Sequence, residues 1–335
     1  ATPSASAAAQ SSPTPTINPV TGAYGVLVTP VTGSGTYTVT LVGVDGKIVA
    51  SAQASSPPSA SCANSAAALV PLPVSTSNSR AYFMDGTGAV HWIDPTGAKS
   101  PAAVVTLPAP TSSRRSLFAV SPDDAQMAVV VIDFTSSGAT TNLYRYDLNA
   151  GGTQSLIFTQ TGAYTLWPVG WHGPNNLVLG KIAACTQGGG PFTGTPTELH
   201  VVDPATANRR FTIGSSTCPP VNRPSPAGVI CENPPNATVL NWTNTTLRTL
   251  PIQGPVGAYL SPSGANVAFV DNTGTIFTNG GSAMAGVFTC AWIDDTHVLA
   301  GGDPQNQARV GNLSNGSVVP VAAQGDCGGR IPGGL

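Results

Sequence analysis

Short stretches in which apolar and polar positions alternate, run into a polar turn and alternate again recur along the chain. They are YTVTLVGVDGKIVASAQ from Tyr37, AVHWIDPTGAKSPAAVVTL from Ala89, TNLYRYDLNAGGTQSLIF from Thr141, TELHVVDPATANRRFTI from Thr197, ATVLNWTNTTLRTLPI from Ala237, TIFTNGGSAM from Thr275 and ARVGNLSNGSVVPV from Ala308. A period of two marks half-buried strands, and Asp, Asn or Gly at the centre supplies a turn with positive φ, so each stretch predicts a hairpin. The sixth is degenerate. Ahead of each hairpin lies an unbroken run of small or branched apolar residues: YGVLVT, AYFMDG, MAVVVIDF, NLVLGKIA, GVICE, NVAFVD and HVLAGG. Such runs suit strands packed on both faces, and they are read as the inner strands of a radial arrangement.

Two sequence echoes set the spacing. SPDDAQMAVVV (Ser121–Val131) returns as SPSGANVAFVD (Ser261–Asp271), and WHGPNNLVLG (Trp171–Gly180) returns as WIDDTHVLAG (Trp292–Gly301). The separations, 140 and 121 residues, are three units of about 47 and about 40 residues, the length of a four-stranded propeller blade. Ser-Pro opens a turn, with Asp124 or Gly264 expected in the left-handed position before the following strand. The expectation is an all-β, seven-bladed β-propeller with four-stranded antiparallel blades, six or eight blades being the alternatives. Pairing of strands from both chain ends would close the ring and remove exposed sheet edges. Residues 1–18 read as a disordered Ser/Ala/Pro/Thr-rich linker, 19–327 as a single propeller domain and 328–335 as a C-terminal tail.

The Ser-Pro-Asp-(Gly/Asp)-x-x-(apolar)-Ala-(apolar) pattern resembles the repeat of the TolB-like, WD-repeat-like β-propellers of bacteria. The Trp-containing stretches look like the same turn in other blades. The resemblance extends from about residue 20 to about residue 325, with the motif clear in four blades. Ser263 stands where the repeat prefers Asp. What the resemblance implies is an exported scaffold that binds other molecules through its faces and central channel; it implies no shared reaction and carries over no catalytic residue.

Composition narrows the partners. Charged residues make up 8% of the chain, the formal net charge is -2, and no basic run exceeds Arg114-Arg115 or Arg209-Arg210. Nucleic acid and anionic membrane both need a basic footprint, so neither is expected as a partner. The longest apolar stretch, MAVVVI, fits a buried strand and is far short of a membrane span. The opening tract ATPSASAAAQSSPTPT resembles the spacer that follows a removed export signal or a lipid anchor in bacterial surface proteins. A secreted, extracellular or cell-envelope location is therefore expected, with a lipid anchor upstream of the linker compatible with it.

The 6 cysteines, Cys62, Cys185, Cys218, Cys231, Cys290 and Cys327, form no C-x-x-C pair and none has a suitably spaced His. Disulfides account for them better than zinc, redox chemistry or free buried thiols. Cys185 with Cys218 and Cys290 with Cys327 are the preferred pairs, because each closes a local loop.

Candidate chemistry is sparse. His91, His172, His200 and His297 form no metal-binding element, so structural roles are expected, with His172 and His297 hydrogen-bonding between blades. The adjacent acids Asp123-Asp124 and Asp294-Asp295 suit turn capping better than weak calcium binding. No G-x-S-x-G elbow, phosphate loop or glycosidase carboxylate pair is legible, and no catalytic residue, metal or cofactor is assigned. Sequons at Asn236, Asn241, Asn244, Asn312 and Asn315 are attributed to the Thr- and Asn-rich composition. The most irregular segment is the Gly- and Pro-rich loop CTQGGGPFTGTPTE, which a Cys185–Cys218 bridge would bring to TCPPVNRPSPAG; Phe192, Arg223, Arg209 and Arg210 are the candidate binding residues. The leading reading is a non-catalytic surface scaffold for a protein or glycan partner. Its alternatives are a propeller enzyme of lyase or lactonase type at the channel mouth, and a structural subunit of a sheath or filament. Oligomeric state is left open.

Overall fold

The computed structural model describes residues 19–29, 35–62, 68, 70–136, 138–185, 196–252, 257–278 and 283–335. The expected linker at 1–18 and Phe192 lie outside them. Every regular element described is a β-strand, and the strands form seven four-stranded antiparallel sheets. First come β1 (Tyr24–Val28), β2 (Thr36–Gly43) and β3 (Ile48–Ser55) of blade 1. Blade 2 is β4 (Val74–Thr76), β5 (Ala81–Met84), β6 (Ala89–Ile93) and β7 (Val105–Thr106). Blade 3 is β8 (Arg114–Val120), β9 (Gln126–Phe134), β10 (Ala139–Asp147) and β11 (Thr153–Gly162). Blade 4 is β12 (Tyr164–Trp171), β13 (Leu177–Ala183), β14 (Glu198–Val202) and β15 (Arg209–Ile213). Blade 5 is β16 (Pro220–Ser225), β17 (Gly228–Asn233), β18 (Asn236–Leu240) and β19 (Thr246–Pro251). Blade 6 is β20 (Gly257–Leu260), β21 (Val267–Val270), β22 (Gly274–Phe277) and the two-residue β23 (Met284–Ala285), which matches its degenerate hairpin. Blade 7 is β24 (Thr289–Trp292), β25 (His297–Ala300), β26 (Arg309–Asn312) and β27 (Val318–Pro320).

The last strand, β28 (Asp326–Ile331), returns to blade 1 and pairs antiparallel with β1, from Tyr24 opposite Ile331 to Val28 opposite Asp326. The ring is thus closed by the two ends of the fold, and blade 1 has the order β28-β1-β2-β3. Residues 328–331 of the segment read as a tail belong to this innermost strand.

The seven alternating stretches are the outer hairpins of the seven blades. The unbroken apolar runs, however, are not innermost: they form β1, β5, β9, β13, β17, β21 and β25, second from the axis. Their position explains their pattern. Along β9, Met127, Val129 and Val131 pack into the core shared with blade 2, while Ala128, Val130 and Ile132 pack into the core shared with blade 4. A strand wedged between two neighbours has no solvent face and so no polar alternation. The described residues form seven hydrophobic clusters, one at each blade junction. Burial of this apolar area between blades is what obliges the chain to repeat.

The turn between the first two strands of a blade is the repeated element. Asp124 and Gly264 adopt φ of 60° and 78°, and the N–H of Ser121 and of Ser261 donates across the turn to the carbonyls of Gln126 and Asn266. Trp171 and Trp292 end β12 and β24 at the same corner, opposite Leu177 and Val298.

Three disulfides are present: Cys62–Cys185, Cys218–Cys231 and Cys290–Cys327. The last is as expected and joins the innermost strands β24 and β28 beside the ring closure. The Cys185–Cys218 pair is overturned. Cys218 lies just before β16 and meets Cys231 on the adjacent β17, while Cys62, in the connection between blades 1 and 2, crosses to Cys185 at the end of β13. Proximity in the sheet, which loop length does not report, decides the pairing.

Candidate functional site

The innermost strands of all seven blades surround one axial cavity of about 720 Å³. At the mouth where these strands begin, the connection from blade 1 to blade 2 is drawn sideways over the opening. Ser61 donates its N–H to Ser112 O at 2.9 Å, Cys62 is bonded to Cys185, and Ala68 bridges Cys185. Arg115 on β8 donates through Nη2 to Pro58 O in the same connection. At the other mouth, residues 332–335 leave β28 and run across to blade 4. Gly333 N–H reaches Ser77 O at 2.7 Å and Leu335 N–H reaches Trp171 O at 2.7 Å; His172 Nδ1 donates to Leu335 O at 2.6 Å. Leu335 is buried against Gly170.

The charged residues lining the cavity are Arg115, Arg223, Arg330, Glu232 and Asp326. Arg223, on β16, extends over the channel until its guanidinium rests on the backbone of Gly329 in β28. A Cβ at Gly329 would stand 2.6 Å from Arg223 Nη1, and the φ of 142° there also favours glycine. Burial, with the charge of neighbouring Arg330, pushes Arg223 down to about 10. Burial lowers Arg330 as well, against the pull of Asp295 and Asp294 at the second mouth. Arg115 is only 5% exposed; burial pushes it down to about 10, and its Nε and Nη1 have no hydrogen-bond partner. Burial raises both Glu232 and Asp326 above the usual carboxylate range. The cavity therefore concentrates positive charge in a weakly screened space.

The three sequence candidates within the described residues, Arg209, Arg210 and Arg223, do not come together. Arg223 is in the cavity. Arg209 and Arg210 lie on β15, the outermost strand of blade 4, where Arg210 pairs with Asp203 at 2.5 Å and donates to Asn176 Oδ1 at 2.8 Å. Arg115 and Arg330 were missed: a single Arg in a short inner strand carries no sequence signal until the ring places it.

Other titratable groups are engaged in structure. His297 stays within blade 7, held by Asp294 and by Asn312 Nδ2 at 2.9 Å from its Nε2, so the inter-blade role expected of it is overturned. His172 does cross blades, to Leu335 and, by stacking at 5.2 Å, to Trp242. Asp123 accepts from the Ser121 hydroxyl and Ala125 N–H, Asp124 from Ser79 and Tyr82, and Asp295 from Ser263 N–H. A Ser100–His91–Asp85 series exists on blade 2, at 3.4 Å and 3.7 Å. Ser100 Oγ accepts the Trp92 N–H, and Asp85 holds its own turn through Thr87 and Ala89, away from the cavity lining. On blade 4, Glu198 accepts from His200 at 2.9 Å and Lys181 at 3.1 Å, which hold its carboxyl below the usual range. Among the described residues no three His, Cys, Asp or Glu side chains are grouped to hold a metal.

No family model matches the chain, and no curated protein matches it. Among solved structures it is similar to a protein of unknown function from Bacteroides caccae, at 13% identity and TM-score 0.43 over 92% of this chain and 98% of that one. It is also similar to Kluyveromyces lactis Hsv2 with loop 6CD replaced by a Gly-Ser linker, at 11% identity and TM-score 0.42 over 92% and 98%. Saccharomyces cerevisiae Sqt1 shows 11% identity and TM-score 0.40 over 92% and 87%.

Proposed function

We propose that this chain is an exported, non-catalytic binding scaffold of the TolB-like, WD-repeat-like kind, acting at the cell surface or in the envelope and holding the end of a glycan in its axial cavity. The observation that carries the reading is the cavity itself: about 720 Å³, walled by the innermost strands of all seven blades, with unmatched donors of Arg115 and Trp167 among its lining residues. That volume suits a small ligand or a chain end rather than a folded domain. Three disulfides suit an oxidising compartment.

The test is capture on a glycan array and from envelope extracts by the intact chain, beside Thr76→Trp, which fills the cavity from β4. Capture by the wild type that Thr76→Trp abolishes supports the reading. Capture that Thr76→Trp leaves unchanged moves binding to a loop face, and the absence of any capture overturns the scaffold.

A further inference from the structure

Arg330 and Arg223 place two guanidinium groups in one enclosed space, each depressed in basicity by burial and Arg223 further by its neighbour's charge. The geometry is built rather than incidental. Arg223 reaches from blade 5 to the backbone of blade 1, and Gly329 leaves the room it needs; Thr76 Oγ1 of blade 2 is at the same point, 3.3 Å from a Cβ at Gly329. The ion pairs Arg114–Asp133 and Arg210–Asp203 lie outside the cavity lining, and Arg330 belongs to neither. The carboxylates whose field it feels are committed elsewhere, Asp294 to Thr296 and His297 and Asp295 to Ser263. The cavity's own carboxylates, Glu232 and Asp326, are shifted by burial alone, and neither is among the charges that Arg330 feels. A third guanidinium, that of Arg115, lines the same cavity nine-tenths buried, with two N–H-bearing nitrogens unmatched.

Like charges confined together out of water are costly unless a counter-charge joins them, and a planar fork of N–H donors matches an oxyanion in particular. We infer that the axial cavity binds an oxyanion, the carboxylate, sulfate or phosphate group of its ligand, between Arg330 and Arg223. The inference rests on the binding reading above and deepens it: the glycan end held in the channel is an acidic one. Arg330 is the specificity-determining residue, because it can turn toward a ligand without breaking a hydrogen bond of the fold.

Titration calorimetry of the full chain at low ionic strength tests this with glucuronate, acetate, inorganic sulfate, inorganic phosphate and glucose as probes. The expected result is saturable binding of glucuronate in preference to glucose, weakened about tenfold or more by Arg330→Gln, the cost of a charge-assisted hydrogen bond. The ligand-free melting temperature of Arg330→Gln should equal or exceed that of the wild type, since a repulsion is removed; a lower one would mark Arg330 as a structural brace and overturn the inference. Arg330→Lys should bind with intermediate affinity. Binding of inorganic anions as tight as that of glucuronate, and equally sensitive to Arg330→Gln, supports the oxyanion site but assigns it to a free ion. Glucose bound as well as glucuronate, or binding that ignores Arg330→Gln, overturns the inference and leaves the scaffold standing. No binding of any probe, together with array capture that Thr76→Trp blocks, also overturns the anionic assignment alone.

Discussion

The indole N–H of Trp292 donates to the backbone carbonyl of Tyr259 at 2.9 Å, tying blade 7 back to blade 6. Trp171 repeats the contact from blade 4 to blade 3, donating to Ala119 O at 3.0 Å. Ala119 and Tyr259 occupy the same place, two residues before the Ser-Pro of their own turns. The two echoes in the sequence are thus halves of one device: a Ser-Pro blade followed by a Trp blade whose indole closes the junction. Replacing Trp292 by Phe keeps a ring against Phe277 but removes the indole's hydrogen bond to the Tyr259 carbonyl, at an expected cost of about 1 kcal/mol in denaturant unfolding. Trp167→Phe is the contrast. Its Nε1 is buried without a partner, so the same change there should cost less by about 1 kcal/mol.

Asp124 and Gly264 hold equivalent turn positions for different reasons. Gly264 meets the backbone requirement alone, and a Cβ there would come 2.8 Å from that of Ala227. Asp124 accepts the strain of φ 60° while its buried carboxylate takes hydrogen bonds from Ser79 at 2.5 Å and Tyr82 at 2.7 Å, joining blade 2 to blade 3. Asp124→Gly relieves the backbone yet should still destabilise by about 1–3 kcal/mol, because two buried hydroxyls lose their acceptor. In a double-mutant cycle with Tyr82→Phe the two changes should cost less together than their sum.

The disulfides should rank by the loops they close. Their sequence separations are 123, 37 and 13 residues for Cys62–Cys185, Cys290–Cys327 and Cys218–Cys231. Chain-entropy reasoning gives about 5, about 4 and about 3 kcal/mol in that order. Paired Cys→Ala replacements, compared by unfolding midpoint, should follow the same order. If instead removal of Cys290–Cys327 costs most, the bridge acts on the ring closure itself rather than on the unfolded chain.

What the sequence discloses and what it hides follow from the number of faces a strand shares. The second strands, with both faces in a core, appear as runs such as MAVVVI, and the outer hairpins appear by alternation ending in Asp or Gly turns; both were legible. The innermost strands were not, because one edge faces the cavity and the strands are short or polar, as in VST (Val74–Thr76), PVNRPS (Pro220–Ser225) and DCGGRI (Asp326–Ile331). The cavity residues sit on those hidden strands, which is why Arg223 was found only through its neighbouring cysteine, while Arg115 and Arg330 were missed. Disulfide pairing failed for a related reason: Cys62 and Cys185 are neighbours only after the connection between blades 1 and 2 is drawn over the mouth of the ring.

Glu232 makes stability depend on pH in a direction the cavity dictates. Burial raises its pKa above the ordinary glutamate value, so the folded protein holds the proton more tightly than the unfolded chain. Its contribution to stability is therefore fully present below the ordinary glutamate pKa and lost as pH rises through the raised one. Glu232→Gln should melt higher than the wild type at neutral pH, with the advantage growing across that window, constant above it and absent below it. A second readout comes from Tyr259, whose phenol is raised by burial and then by the Glu232 charge. Removing that charge should lower the pH at which Tyr259 ionises, followed by its ultraviolet absorbance. A difference in melting temperature that does not vary with pH would place the Glu232 carboxylate in contact with solvent rather than in the cavity wall.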